Sequence, residues 1–147
     1  MSNMQLQECV SLPESQPQRV LILEDDWDIA EVMQECFKQA GFICHHESSP
    51  EDIISLVQDH QPDLVLIDYL LPAVNGGELC SQLKAEDSTK NIPVIICSAY
   101  PRVLLSLGTY GSDAFIPKPF DIHYLLSKAE ELINSKKNAA GHETSTV

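Results

Sequence analysis

Five short apolar runs, separated by stretches of helical character, set the strongest constraint on how this 147-residue chain folds. The runs cover residues 20–23, 42–44, 64–67, 94–97 and 114–116. Short runs rich in β-branched residues and joined by helical connections are typical of repeated βα units, which pair into a parallel sheet. We therefore predict an α/β fold with a doubly wound, five-stranded parallel sheet.

The character of each run predicts its position in the sheet. The first, third and fourth runs are uninterrupted hydrophobics, as expected for strands that are buried on both faces. The second run gives way to the polar residues 45–47, and the fifth ends at Pro117, which suits edge strands. With right-handed crossovers, this pattern predicts the strand order 2-1-3-4-5.

Helical periodicity and capping residues predict the connecting helices. The first helix has an apolar face over residues 29–40. The second is expected to begin at Ser49-Pro50 and the third near Asn75, both of which are favourable helix starts. The segment 101–108 predicts only a short, weak helix, whereas residues 122–133 predict a strong amphipathic one.

The two ends of the chain differ from the middle in composition. Residues 1–18 are rich in Gln, Ser and Glu and show no period that could bury a face, so we predict a flexible arm. Residues 135–147 are polar and small, which predicts a disordered tail. The folded domain is expected to span residues 19–134, with no output domain after it.

Composition limits the partners and the compartment. Nine basic residues against 22 acidic residues give a net charge of −13, which repels a phosphate backbone and argues against direct DNA binding. The five cysteines lack a Cys-x-x-Cys pair and are expected to be thiols in a reducing compartment. Neither a leader segment nor a membrane-length apolar run is recognisable, so we expect a cytoplasmic protein without membrane insertion.

Polar side chains follow four of the five predicted strands. Glu24-Asp25-Asp26 follow the first strand, Asp68 the third, Ser98 the fourth and Lys118 the fifth. Each alone has an ordinary structural explanation, such as a helix cap, a turn or a solvated loop. Because the carboxyl ends of parallel strands meet at one edge, where ligands bind at the switch point of strand order, their joint position favours a functional site.

The residue types at this edge indicate phosphoryl chemistry. Carboxylates gathered near strands one and three repel one another and suit a small, hard divalent cation such as Mg²⁺. Asp68 is positioned to attack a phosphoryl group and become an aspartyl phosphate. Mg²⁺ and Lys118 would neutralise charge on the phosphoryl oxygens, and the Ser98 hydroxyl would hydrogen-bond one of them.

Four motifs carry a resemblance to a known family. They are Glu24-Asp25-Asp26, the segment 68–76 (DYLLPAVNG), Ser98-Ala99 and Lys118-Pro119-Phe120. Together they resemble the response-regulator receiver domain of two-component signalling, of the stand-alone type, over about residues 19–134. The resemblance implies a flavodoxin-like (βα)5 domain that is phosphorylated by a histidine kinase or a histidine phosphotransfer protein.

The resemblance also implies a role for each matching residue of the phosphorylation site. Asp68 matches the phosphoacceptor, and Lys118 matches the lysine that contacts the phosphate. Asp25 and Asp26 match the Mg²⁺-binding acids, and Leu70 matches the position that offers its backbone carbonyl to the metal. The implied cofactor is therefore Mg²⁺.

Two further positions match the residues that transmit the signal. Ser98 matches the switch hydroxyl and Phe115 the aromatic residue that moves inward on activation, and the Lys118-Pro119 bond resembles one that the family often holds cis. The stretch between Ser98 and Lys118 is shorter than usual. The resemblance implies that the domain passes its signal by contact with a downstream protein target or a relay partner. It also implies a monomer or a phosphorylation-dependent dimer.

Other functions fit parts of the sequence. A Mg²⁺-dependent phosphohydrolase of small phosphoesters would also use Asp68 as nucleophile, but position 70 is leucine where such an enzyme needs a second acid. A flavodoxin would share the fold, but acids follow the first strand where a phosphate-binding loop is required. A phosphorylation-independent adaptor is the interpretation to adopt if Asp68 accepts no phosphoryl group.

The remaining candidate residues are interpreted as structural. Four histidines lack metal-ligand spacing and are expected on exposed helix surfaces or the edge strand: His45, His46, His60 and His123. Cys97 lies within a buried run and is expected in the core. Trp27 follows the acidic motif directly and is expected at the rim of the site.

Overall fold

All five predicted strands are present in the computed structural model, which describes residues 16–99, 108 and 110–145. The strands are β1 (Arg19–Leu23), β2 (Ile43–Glu47), β3 (Leu64–Asp68), β4 (Val94–Ser98) and β5 (Ala114–Pro117). They are all parallel and lie in the order β2-β1-β3-β4-β5. This confirms the predicted α/β fold, with β2 and β5 at the edges.

Helices cover both faces of the sheet. Those in the described part of the chain are α1 (Trp27–Gln39), α2 (Ile53–His60), α3 (Gly76–Ala85) and α4 (Ile122–Ser145). The helix predicted within residues 101–108 and most of the predicted N-terminal arm lie outside the described residues. None of the helices described is long and apolar enough to cross a membrane.

Successive side chains along each strand point to opposite faces of the sheet, so the core has two layers. On β1, Val20 and Ile22 face one layer, which contains the buried residues of α1 and α4. Leu21 and Leu23 face the other, which contains the buried residues of α2 and α3. Because helices cover both faces, every residue of the inner strands β3 and β4 is buried.

Two element boundaries differ from the sequence prediction. The second helix was expected to begin at Ser49-Pro50, but its N-cap is Asp52, whose Oδ1 accepts hydrogen bonds from the backbone N–H groups of Ile54 and Ser55 at 3.1 and 3.2 Å. A carboxylate that satisfies two N–H groups outweighs the upstream serine. Strand β2 continues through its polar residues 45–47, because an edge strand keeps its backbone pairing to β1 while polar side chains reach solvent.

The last helix also extends past its predicted end. α4 continues to Ser145, so residues 135–145 are helical, where the sequence predicts a disordered tail. Residues 134–138 are exposed, so tertiary packing does not explain that part of the extension. The segment lacks proline, and good helix formers at 136, 137, 139 and 140 propagate a helix that its packed first turns have already nucleated.

The core assignment predicts a large effect of shortening Phe37. Its ring is fully buried and meets the ring of Phe42 edge-on, with centroids 5.0 Å apart. We expect Phe37→Ala to lower the free energy of unfolding by about 3–5 kcal/mol, because the lost ring leaves a cavity. Urea unfolding followed by circular dichroism measures this.

Val32→Ala on the same helix is the matched control. The Val32 side chain is 59% exposed, so its truncation should change the free energy of unfolding by less than about 0.5 kcal/mol. An equally small effect of Phe37→Ala would contradict the assigned core.

Candidate functional site

The carboxyl ends of four strands bring the predicted polar residues to one edge of the sheet. Asp68 and Ser98 are the last residues of β3 and β4, Glu24 follows β1 directly, and Lys118 follows β5. The pairing Asp68 to Cys97 and Ser98 to Pro117 aligns these strand ends. Three of these residues are buried: Glu24 is 2% exposed, Asp68 8% and Ser98 1%.

Three carboxylates form a compact acidic cluster at this edge. Oxygens of Glu24, Asp25 and Asp68 all lie within 4.8 Å of one another. The Lys118 ammonium lies between two of them, with Nζ 2.9 Å from Glu24 Oε1 and 3.0 Å from Asp68 Oδ1. One lysine against three carboxylates leaves a local charge of about −2 when all are ionised, which a divalent cation would neutralise.

Asp26 lies outside this cluster, which corrects the expected pair of metal acids. Its Oδ1 accepts hydrogen bonds from the backbone N–H groups of Asp28 and Ile29, at 3.0 and 3.2 Å, and so caps α1. The physical reason is that α1 begins at the next residue and its first N–H groups need an acceptor. The structure instead brings Glu24 together with Asp25 and Asp68.

Glu24 is placed at the strand end from the sequence but is assigned no role of its own there. Its position in the sequence could have indicated a role, because Glu24 directly follows the last residue of β1 and therefore lies at the carboxyl edge of the sheet. The structure fixes it firmly: its Oε2 accepts from the backbone N–H of Asp26 at 3.2 Å, and its own N–H donates to the Glu47 carbonyl at 3.2 Å.

Burial governs the ionisation of the cluster. Burial raises the pKa of Glu24, and the Asp68 charge adds to this, while the hydrogen bond from Lys118 opposes it. Burial likewise raises the pKa of Asp68, with the Asp25 charge adding to it and Lys118 opposing it. Burial alone would lower the pKa of Lys118, but its bonds to both carboxylates outweigh burial and raise it, so the side chain remains an ammonium.

The loop after β3 packs tightly against the predicted acceptor. The N–H of Gly76 donates to the Tyr69 carbonyl at 2.7 Å, and Leu70 forms an isolated antiparallel bridge with Asn75. A Cβ at Gly76 would collide with the backbone carbonyl of Asp68. Glycine at this position therefore allows α3 to begin directly beside Asp68, with Asn75 as its N-cap as predicted.

The predicted switch residues lie on adjacent strands. Ser98 is buried at the end of β4, and its carbonyl accepts the N–H of Lys118 at 2.7 Å. Phe115 on β5 is half-buried and packs against the core layer on the α2 and α3 face. The Lys118-Pro119 bond is cis, as expected.

A tyrosine pair beside the site was not predicted. Tyr69 directly follows Asp68, and its hydroxyl lies 3.2 Å from that of Tyr110. The Tyr110 ring covers Gly77, where a Cβ would collide with it. The two tyrosines are 41 positions apart in the chain, so local sequence carries no signal for their contact.

Cys97 lies in the core, as expected. It is fully buried, and burial raises the pKa of its thiol to about 12. Burial raises the pKa of the Cys80 thiol to about 11. Both remain protonated at neutral pH, which argues against a nucleophilic role because the thiolate is the reactive form.

A five-stranded parallel sheet in this order, with acids, a hydroxyl and a lysine at its carboxyl edge, defines a class of signalling domain. The response regulator receiver domain model matches residues 20–130, and the chain belongs to that family. The assignment confirms the resemblance that the four sequence motifs carry.

Known proteins agree with this assignment. The chain is 28% identical over 117 residues to the DNA-binding dual master transcriptional regulator RpaA of Synechocystis sp., covering 78% of this chain and 48% of that protein. It spans about half the length of the curated relatives it matches.

Solved structures agree as well. The receiver domain of a signal transduction histidine kinase from Syntrophus aciditrophicus is 30% identical, with a TM-score of 0.73 over 80% of this chain and 91% of that one. Response regulator TrrA of Thermotoga maritima, solved in complex with Mg²⁺-BeF, has the same fold, with 23% identity and a TM-score of 0.71 over 78% of this chain and 98% of that one.

The raised pKa of Asp68 predicts how stability depends on pH. A folded state with the higher pKa binds the proton more tightly, so this carboxylate lowers stability as the pH rises above its ordinary pKa of about 4. Without divalent cations, Asp68→Asn should therefore be more stable than wild type at neutral pH, and the difference should shrink as the pH falls toward 4. Urea unfolding in EDTA at several pH values measures this.

Asp87→Asn is the control for this experiment. The Asp87 side chain is 93% exposed, so its neutralisation should change the free energy of unfolding by less than about 0.5 kcal/mol. An Asp68→Asn variant that is less stable than wild type at neutral pH would contradict the electrostatic account of the cluster.

Proposed function

We propose that this chain is a phosphorylation-controlled signalling switch whose acceptor is Asp68. The observation that carries the proposal is the contact of Asp68 Oδ1 with Lys118 Nζ at 3.0 Å inside a cluster of three carboxylates. A buried carboxylate paired with a lysine beside a metal-binding acid set is equipped to accept a phosphoryl group and to compensate its charge. Membership of the receiver family supports the same function.

The donor proposed is a histidine kinase or a histidine phosphotransfer protein. An Asp68 carboxylate oxygen attacks the phosphorus of the donor's phosphohistidine and forms a new P–O bond. The P–N bond breaks, and its electron pair goes to the imidazole nitrogen of the donor. Lys118 favours the ionised nucleophile before transfer and pairs with phosphoryl oxygens after it.

The acidic cluster fits a magnesium ion. Its ligands would be carboxylate oxygens of Glu24, Asp25 and Asp68, with the backbone carbonyl of Leu70 as a further donor. These are hard oxygens that carry excess negative charge, and Asp25 is exposed, so coordinated water has room. When bound, Mg²⁺ would neutralise charge on the transferring phosphoryl oxygens. The Mg²⁺-BeF complex of TrrA supports this cofactor by analogy.

Ser98 and Phe115 are proposed to transmit the change. The Ser98 hydroxyl would bond a phosphoryl oxygen at the end of β4, and Phe115 on the neighbouring strand would fill the space that Ser98 vacates. The altered surface near β5 would then bind a downstream protein target or a relay partner. The net charge of −13 favours a protein partner over direct contact of this domain with DNA. A monomer or a phosphorylation-dependent dimer is expected.

Acetyl phosphate with Mg²⁺ tests the acceptor. We expect intact-mass spectrometry to detect a single phosphoryl adduct on wild type and none on Asp68→Asn, because the amide lacks the nucleophilic oxygen. Asp26→Asn is the matched control: asparagine also caps helices, so this variant should keep the adduct. Asp25→Asn should lose most Mg²⁺-dependent labelling.

Other outcomes would support the competing functions. Continuous phosphate release from small phosphoesters, abolished in Asp68→Asn, would indicate a phosphohydrolase. An absent adduct together with absent Mg²⁺ binding would contradict the switch and favour a phosphorylation-independent adaptor.

Binding of Mg²⁺ predicts a thermal shift. A cation that binds only the folded state stabilises it by about 2.7 kcal/mol at 100 times its dissociation constant. We expect Mg²⁺ to raise the melting temperature of wild type and to have little effect on Asp25→Asn. An equal shift in both proteins would exclude Asp25 as a ligand.

A further inference from the structure

The end of the edge strand β2 holds the turn that carries the acidic cluster. Nε2 of His46 lies 2.7 Å from the backbone carbonyl oxygen of Glu24. The next residue, Glu47, accepts the backbone N–H of Glu24 at 3.2 Å. The His46 ring also meets the ring of Trp27 edge-on, with centroids 4.8 Å apart. The turn between β1 and α1 is thus held by β2 on both sides of Glu24.

The Glu24 carbonyl needs such a partner. The hydrogen-bond ladder of α1 begins at the Asp26 carbonyl, which accepts from the Ala30 N–H at 2.9 Å, so the Glu24 carbonyl lies outside it. Glu24 is 2% exposed, and a buried carbonyl without a donor is costly. The His46 imidazole supplies the donor from a strand 22 positions further along the chain.

This contact has a consequence for the geometry of the cluster. Glu24 is held at its N–H by Glu47, at its carbonyl by His46, and at its carboxylate by Lys118. Asp25 directly follows this anchored residue. Because ligands that are already positioned need less ordering when the ion binds, a group that fixes the backbone between two ligands improves affinity without touching the ion.

We propose that His46 is a positioning residue for the magnesium site, acting through a hydrogen bond from its Nε2–H to the Glu24 carbonyl. The inference rests on the proposed function, since it assigns a role toward the cation that Glu24, Asp25 and Asp68 would hold. It also gives a specific role to a histidine that is interpreted from the sequence only as structural. The bond requires the tautomer that carries the proton on Nε2.

Three variants test the inference by isothermal titration calorimetry with MgCl₂. His46→Leu removes the donor and should weaken Mg²⁺ binding by about tenfold. His46→Gln should stay close to wild type, because its amide N–H₂ can replace the Nε2–H donor. His45→Leu is the matched control: His45 contacts Glu47 Oε2 and stacks on His60, so its loss should leave Mg²⁺ affinity unchanged.

A measurement on the wild-type chain needs no substitution. Long-range ¹H–¹⁵N NMR at about pH 8.5 identifies the ring nitrogen that carries the proton. We expect His46 to be protonated on Nε2. A proton on Nδ1 alone would overturn the inference, even if His46→Leu failed to fold.

The remaining outcomes separate this inference from the proposed function. If wild type binds Mg²⁺ and His46→Leu binds it equally well, the role of His46 is wrong and the magnesium site stands. If His46→Gln loses as much affinity as His46→Leu, hydrogen bonding by this residue is not what positions the turn, and the inference is overturned. If wild type does not bind Mg²⁺, both proposals fail together.

Discussion

The Lys118 ammonium lies between the carboxylates of Glu24 and Asp68. This one lysine does not compensate the negative charge of the three carboxylates at the sheet edge, and the site depends on that excess charge. Three acids within 4.8 Å repel one another, and burial raises the pKa of the two most enclosed. A domain carries such a cluster at a cost to its stability, because buried like charges lose hydration and repel one another. In the proposed function, the same charge would favour a divalent cation and a phosphoryl group at the site.

The sheet explains how residues so distant in the chain reach one point. Parallel strands end at the same edge, so Glu24, Asp68, Ser98 and Lys118 meet although 94 positions separate the first from the last. The two core layers hold these strand ends rigidly, because every residue of β3 and β4 is buried. The loops add what the strands lack: a glycine that lets α3 approach Asp68, and an edge strand that contacts the turn after β1.

Much of this could be predicted from local sequence. Uninterrupted apolar runs identified the inner strands, and Asn75 was recognised as a favourable helix start. In the structure its Oδ1 accepts the Glu78 N–H at 2.7 Å. The predictions were wrong where neighbouring residues could fill the same structural role. Asp25 and Asp26 are neighbouring aspartates, and only the exact start of α1 makes Asp26 the cap and leaves Glu24 in the cluster with Asp25 and Asp68. The observed start of α2 and end of α4 differ from their predicted positions for the same reason, since several residues near each boundary are compatible with either helix or loop.

The sequence by itself determined the strand order, the two edges and the family, because each follows from a local pattern of hydrophobicity or from motifs adjoining the strands. It also placed Asp68, Asp25, Ser98 and Lys118 at the carboxyl ends of the strands. The tertiary structure alone decided which acids face one another, where the Lys118 ammonium lies, and that His46 and Tyr110 reach the site. Those contacts join segments 22 to 94 positions apart. The distances between these residues depend on how the helices and strands pack, and local sequence patterns do not predict that packing.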